Sequence, residues 1–231
     1  MRTLVLLSGL LCDETIWADV AERVAGAADV RIVAFPGFDA ITEMAVHVLS
    51  VVPERFAIAG HSMGGRVALE VVRRAPHRIE GLALFNTGVH PRHEAEDQSR
   101  GRLVKLAREQ GMSALAAKWL PPMMGASPAR IAQVMPRLTA MVERATPESF
   151  AAQIRALLER PDAASLLPLI DVPTLLASGT GDTWSPLAQH QEMRRQIPRA
   201  TLVAIEDAGH MSPVEQPDAV AIAVRSWLGQ L

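Results

Sequence analysis

The stretch Ala57-Ile58-Ala59-Gly60-His61-Ser62-Met63-Gly64-Gly65-Arg66 constrains this chain more than any other. Its first residues form a short apolar run of the kind that fills a buried strand, and the pattern from about Met63 to Arg74 predicts a helix. Between them lies Gly-x-Ser-x-Gly, so the chain must pass from strand to helix almost without a loop. Side chains at Gly60 or Gly64 would collide as the strand folds back against the helix. A serine on so sharp a turn lifts its hydroxyl clear of the backbone, and it sits at the positive end of the following helix, where negative charge is stabilised. The pattern suits a nucleophile. A Gly-rich turn that merely caps a helix is the plainer alternative.

The rest of the chain builds a frame around that turn. Apolar runs at Thr3–Leu7, Val30–Val33, Phe56–Ala59, Gly81–Phe85, Thr174–Ala177 and Thr201–Ile205 predict six strands. Helical spacing falls between them near 14–27, 42–52, 63–74 and 186–196, and a closing helix is expected from about Pro217 to Leu228. Strands alternating with helices imply an α/β fold with a mostly parallel sheet wound by right-handed crossovers. The alternation breaks from about Gly88 to Pro168, where helical patterns are punctuated by prolines at 121, 122, 128, 136, 147 and 161. Residues 1–88 and 169–231 are therefore expected to form the core, and 89–168 a helical lid. Because the insertion leaves from the carboxyl end of a strand, it should cover the edge where such sheets place their active sites.

The elbow-like turn, the alternating elements and the C-terminal pieces Val172-Pro173-Thr174 and Glu215-Gln216-Pro217 together resemble the α/β-hydrolase superfamily. Within it the chain is similar to small bacterial esterases and enol-lactonases, including the pimeloyl-carrier-protein methyl esterase type. A serine hydroxyl needs a base to take its proton, and the base needs an acid to fix its tautomer. The resemblance implies the order Ser, Asp or Glu, His, each on a loop after a strand. It thus implies Ser62 as nucleophile, Asp182 in Ser178-Gly179-Thr180-Gly181-Asp182 as acid, and His210 in Ala208-Gly209-His210 as base. Asp207 is expected only to cap a turn, Asp171 precedes its strand, and the other position where relatives place an acid reads Asn86-Thr87.

A tetrahedral intermediate also needs two backbone N–H donors. Met63, directly after the serine, should supply one. Leu10, in the loop after the first strand, should supply the other, with Leu11 as fallback. Relatives carry His-Gly there, whereas this chain has Ser8-Gly9, so the loop's support is expected to differ. Trp17 is read as packing. His47, His77, His90, His93 and His190 are read as surface histidines, with no spacing that suggests a metal.

Composition narrows the partners. A net charge of −2 gives no reason to expect nucleic acid, and the single cysteine, Cys12, allows no intrachain disulfide. The apolar start Thr3–Leu11 superficially resembles a signal peptide, but one basic residue precedes it and Leu11 stands where a small residue would be needed. No run approaches the roughly 18 apolar residues of a membrane span. The expectation is a cytoplasmic enzyme without cofactor or metal. Leu11, His61, Trp119, Leu120, Met123 and Met124 are expected to line a pocket for a small, largely apolar ester or lactone. The lid carries 11 Lys and Arg against 8 Asp and Glu, which hints at a substrate with a free carboxylate. The alternatives are a lyase or carbon–carbon bond hydrolase using the same three residues on a small carboxylate, or a non-catalytic small-molecule receptor.

Overall fold

A computed structural model describes residues 1–231. Six strands, β1 (Thr3–Leu7), β2 (Asp29–Val33), β3 (Phe56–His61), β4 (Ile79–Phe85), β5 (Thr174–Gly179) and β6 (Ala200–Ile205), form one sheet in the order β2-β1-β3-β4-β5-β6. Every pairing is parallel. β3 and β5 are buried along their whole length, which explains why they read as unbroken apolar runs rather than alternating ones. Both run on past the ends that apolar character marks, β3 to His61 and β5 to Gly179, because the added small and polar residues are buried by what covers the sheet edge.

The strand order reverses direction between β2 and β3. Right-handed crossovers therefore set α1 (Ala18–Val24) on one face, and α2 (Ile41–Val51), α3 (Met63–Arg74) and α7 (Leu187–Gln196) on the other. The last helix, α9 (Pro217–Leu228), packs with α1, and α2 packs with α3. The loops after β1 and β3 flank this reversal, and those loops carry Leu10 and Ser62. The long helix expected over 14–27 is instead a single 3-10 turn, Glu14–Ile16, followed by the short α1. The break is at Trp17: its indole is fully buried and donates to the Leu7 carbonyl at 3.0 Å, a contact that takes precedence over helical continuity.

Between β4 and β5 the chain forms α4 (Glu94–Trp119), α5 (Pro128–Glu143) and α6 (Pro147–Leu158). α4 is interrupted at Gly111, where φ is +85°, a conformation that only glycine adopts cheaply. α5 and α6 both pack against neighbouring helical elements, and Leu115, Trp119, Leu138 and Phe150 join the same hydrophobic core as the sheet. No helix is long and apolar enough to cross a membrane.

Candidate active site

The turn after β3 is as tight as its glycines require. A Cβ on Gly60 would lie 2.3 Å from the Gly64 carbonyl oxygen, and one on Gly64 would lie 2.3 Å from that of Leu7. Ser62 sits between them at φ +54°, ψ −115°, a conformation rarely open to a side chain and held here by the packing on both sides. Its backbone is fixed further: its N–H donates to the Phe85 carbonyl at 2.9 Å, and its carbonyl accepts from the Thr87 hydroxyl at 2.7 Å.

The three side chains named by the sequence converge. Ser62 Oγ is 2.9 Å from His210 Nε2, and His210 Nδ1 is 3.0 Å from Asp182 Oδ2. Asp182 is almost fully buried and accepts four hydrogen bonds. Oδ1 takes the backbone amides of Trp184 (2.8 Å) and Ser185 (3.0 Å), and Oδ2 takes His210 and the Asn86 side-chain amide (2.9 Å). Burial alone would raise its pKa, but the His210 bond and charge, Asn86 and the Ser185 amide together hold it well below the usual carboxylate range. It is therefore an anion whenever the protein is folded near neutral pH. That anion requires His210 to keep its proton on Nδ1, which leaves Nε2 free to accept from Ser62.

Asn86 is the residue that sequence reasoning passed over. It occupies the position after β4 where relatives sometimes carry an acid, and it reaches the same carboxylate from there. Its φ is +49°, and its side chain also donates to the Gly209 carbonyl at 3.1 Å while accepting from the Ser212 hydroxyl. The signal that could have found it is the asparagine itself, since asparagine tolerates positive φ better than most residues.

The N–H groups expected to hold an oxyanion are open. Met63 begins α3, where first-turn amides have no partner within the helix, and the Leu10 amide meets no acceptor in the chain. Leu11 is a correction. Its φ is +57° and its amide donates to Gln153 Oε1 at 2.9 Å, so it is no spare donor, and its side chain is not among those lining the cavity over Ser62. Gln153 also donates to the Phe35 carbonyl at 2.8 Å, so α6 braces this loop. Ser8 adds a bond from its hydroxyl to the Asp13 carbonyl at 3.0 Å, in place of the support a histidine would give.

His61 lies behind the serine. Burial and the nearby His210 push its pKa down to about 3, so the ring is neutral. Its Nε2 is 2.7 Å from the His210 carbonyl, which makes Nε2–H the donor, while Nδ1 is buried without a partner. His190 corrects the reading of surface histidines. It is fully buried, its Nε2 accepts from the Thr87 amide at 3.3 Å, and burial lowers its pKa. Asp207 is an exposed turn residue bonded to the Gln216 side chain, as expected of a residue outside the site.

A cavity of about 390 Å³ opens over Ser62 and His210. Leu10, His61, Met63, Trp119 and Met123 line it; Leu120 and Met124 do not. Trp119 offers more than packing, since its buried indole N–H has no partner in the protein. Charged groups join the apolar lining. Ten of its 24 lining residues are hydrophobic, and Arg66, Arg100 and Arg160 enter it beside a single carboxylate, Glu96. Arg160 binds Glu96 through two N–H groups at 2.6 and 2.9 Å, and Arg100 shares it at 3.0 Å. Burial opposes the Glu96 charge, but Arg160, the His93 amide and Arg100 bring its pKa down to about 2. Arg66 donates only to the His90 carbonyl and meets no carboxylate. Burial, with Arg160 adding repulsion, lowers its pKa to about 9, so it remains a cation at neutral pH. The wall thus carries three positive groups against one negative.

Comparison with known proteins shows the family. The chain is 24% identical over 240 residues to the pimeloyl-[acyl-carrier protein] methyl ester esterase of Aromatoleum aromaticum, covering 96% of each. The structure resembles an esterase from Thermogutta terrifontis (29% identity, TM-score 0.88, covering 100% of this chain and 90% of that one). It also resembles the enol-lactonase of Burkholderia xenovorans LB400 (27% identity, TM-score 0.89, covering 99% and 91%). The family model described as the alpha/beta hydrolase family matches residues 4–224, nearly the whole chain, and this protein belongs to that family.

Proposed function

We propose that this protein hydrolyses a carboxylic ester or lactone through an acyl-enzyme on Ser62. One observation carries the reading: the unbroken line of hydrogen bonds Ser62–His210–Asp182, with two unengaged amides beside the serine. In the first half-reaction His210 Nε2 takes the Ser62 proton as Oγ attacks the ester carbonyl carbon. The carbonyl oxygen becomes an anion facing the amides of Leu10 and Met63, which are worth about 3 kcal/mol each in such a role. Collapse breaks the bond to the alcohol, or opens the lactone ring, and the leaving oxygen receives the proton from His210. Water, deprotonated by the same nitrogen, then attacks the acyl carbon and releases the acid and Ser62. No cofactor enters these steps. Residues 89–168 act as the lid over this site, and residues 1–88 and 169–231 as the core.

The similarity to an esterase and an enol-lactonase supports this chemistry, and the basic wall adds to it. Arg66 lies one helical turn, about 6 Å, along α3 from Ser62, so a substrate bearing a carboxylate a few bonds from its ester would bring its charge to that guanidinium. The same wall favours a second reading, in which the three residues carry out an elimination or carbon–carbon cleavage on a small carboxylate.

The test is turnover of p-nitrophenyl butyrate and of the p-nitrophenyl half-ester of glutarate by wild type and Ser62→Ala. Turnover that the variant loses by at least about 10³-fold is expected. A well-folded wild type inert toward both esters would refute ester hydrolysis and leave the elimination or carbon–carbon cleavage reading.

A further inference from the structure

Glu215 is fully buried, yet no Lys, Arg or His side chain pairs with it. Four backbone amides do. Oε1 accepts from Gly209 (2.9 Å) and Met211 (3.1 Å), the two neighbours of His210 in the chain. Oε2 accepts from Gly125 and Ala126, both at 2.8 Å, in the segment joining α4 to α5. Those two segments touch directly. The His210 amide donates to the Met123 carbonyl at 2.7 Å, and a Cβ on Gly209 would lie 2.4 Å from the Gly125 nitrogen. Arg130, on α5, donates to the carbonyls of Val214 and Glu215 at 2.9 and 2.8 Å and so fixes the short helix α8 (Ser212–Glu215) that presents the carboxylate. Burial raises the Glu215 pKa against the pull of the four amides. Only the ionised form can accept all four, because a protonated carboxyl would turn one oxygen into a donor facing donors.

We infer that Glu215 is a positioning residue: its carboxylate seats the His210 loop on the Met123–Ala126 segment, so that Nε2 lies within reach of Ser62. The inference rests on the proposed roles of Ser62 and His210. It makes this end of the helical insertion part of the base's support rather than a flap, and places any opening of the cavity elsewhere.

The variant Glu215→Gln keeps the shape but can offer one oxygen to one pair of amides, leaving the other pair facing an NH2 group. The probe is a fluorophosphonate, which phosphonylates an activated serine whatever the natural substrate. Displacement of base geometry by about an ångström costs on the order of 100-fold, so labelling of Ser62 should slow by about 10–100-fold in the folded variant. With p-nitrophenyl butyrate, kcat should fall likewise while KM stays within about twofold. Glu215→Asp keeps the charge but cannot span both pairs, and should fall between the two; it also carries the test if the glutamine variant does not fold. A purely structural role would lower the thermal midpoint and leave labelling of the folded protein unchanged, which would overturn the inference, as would a loss expressed in KM alone. Absence of labelling in wild type would instead overturn the proposed role of Ser62.

Discussion

Asp182→Asn tests the site's electrostatics at one pair of atoms. The substituted amide must place its oxygen and its NH2 where Oδ1 and Oδ2 now lie. At Oδ1 two backbone amides, Trp184 and Ser185, point inward and cannot rotate away. At Oδ2 the partners are the Asn86 side chain and His210. The oxygen therefore stays at Oδ1, where two fixed donors need it, and the NH2 meets His210 Nδ1. A donor there draws the imidazole into the opposite tautomer, with the proton on Nε2, where it can no longer accept from Ser62. The loss expected for a wrong tautomer is about 10⁴ in kcat, or roughly 5.4 kcal/mol of transition-state stabilisation. Asn86 is left with its NH2 against another NH2, so folding stability should fall by about 1–3 kcal/mol. Initial rates on p-nitrophenyl butyrate, beside thermal unfolding, read both quantities. A folded variant keeping more than about a tenth of wild-type kcat would refute the tautomer argument.

Arg66→Met should raise KM for a half-ester carrying a carboxylate by about 10-fold or more, the worth of one charge-assisted hydrogen bond, and leave p-nitrophenyl butyrate within about twofold. Equal effects on both esters would show that Arg66 does not read charge. Gly64→Ala places a methyl group 2.3 Å from the Leu7 carbonyl oxygen and should abolish soluble folded protein, whereas Gly26→Ala, with nothing within 4 Å, should leave the thermal midpoint within about 2 °C. A normally folded Gly64→Ala would refute the packing account of the elbow. Acid should unfold the protein in a window set by its depressed carboxylates. Glu96 and Asp182 both titrate lower when folded than when unfolded, so their contribution is complete above the ordinary carboxylate range near 4.5 and is lost as pH falls toward 2. Glu96→Gln should flatten that part of the profile, and an unchanged slope in acid titration of unfolding would count against the Arg160–Glu96 pair.

Which parts of this site could be read from residues alone depends on how far along the chain their causes lie. The elbow is local: Gly60, Ser62 and Gly64 meet one another and Leu7 because a strand and a helix joined by so short a turn have no other way to pack. The loops carrying Asp182 and His210 were legible through the family resemblance, which looks for them just after apolar strands. Leu11 was not. Its amide is claimed by Gln153, 142 residues away, and nothing near Leu11 announces a partner on α6. The same holds for Asn86, which reads as a missing acid until the fold brings Asp182 to it from 96 residues on.

The basic wall shows the limit most sharply. A surplus of lid arginines is visible in the sequence, but a surplus does not say which cation is free. Arg144, Arg137 and Arg155 are spent on Asp13, Asp19 and Asp39, tying the insertion to the core at 2.6 Å each. Arg100 and Arg160 divide Glu96 between them. The cation left facing the cavity without a carboxylate is Arg66, which belongs to α3, directly after the serine, and not to the insertion at all. Helical geometry fixes its distance from Ser62, whereas every lid arginine depends on how the insertion sits. Recognition of a charged substrate built on Arg66 would therefore survive neutralisation of the insertion's other charges. A variant with neutral residues in the insertion, but with His90 and the Met123–Ala126 segment kept, should hold the preference for the half-ester over the neutral ester within about threefold, and lose it when Arg66→Met is added. A preference that disappears with those charges would place recognition in the insertion.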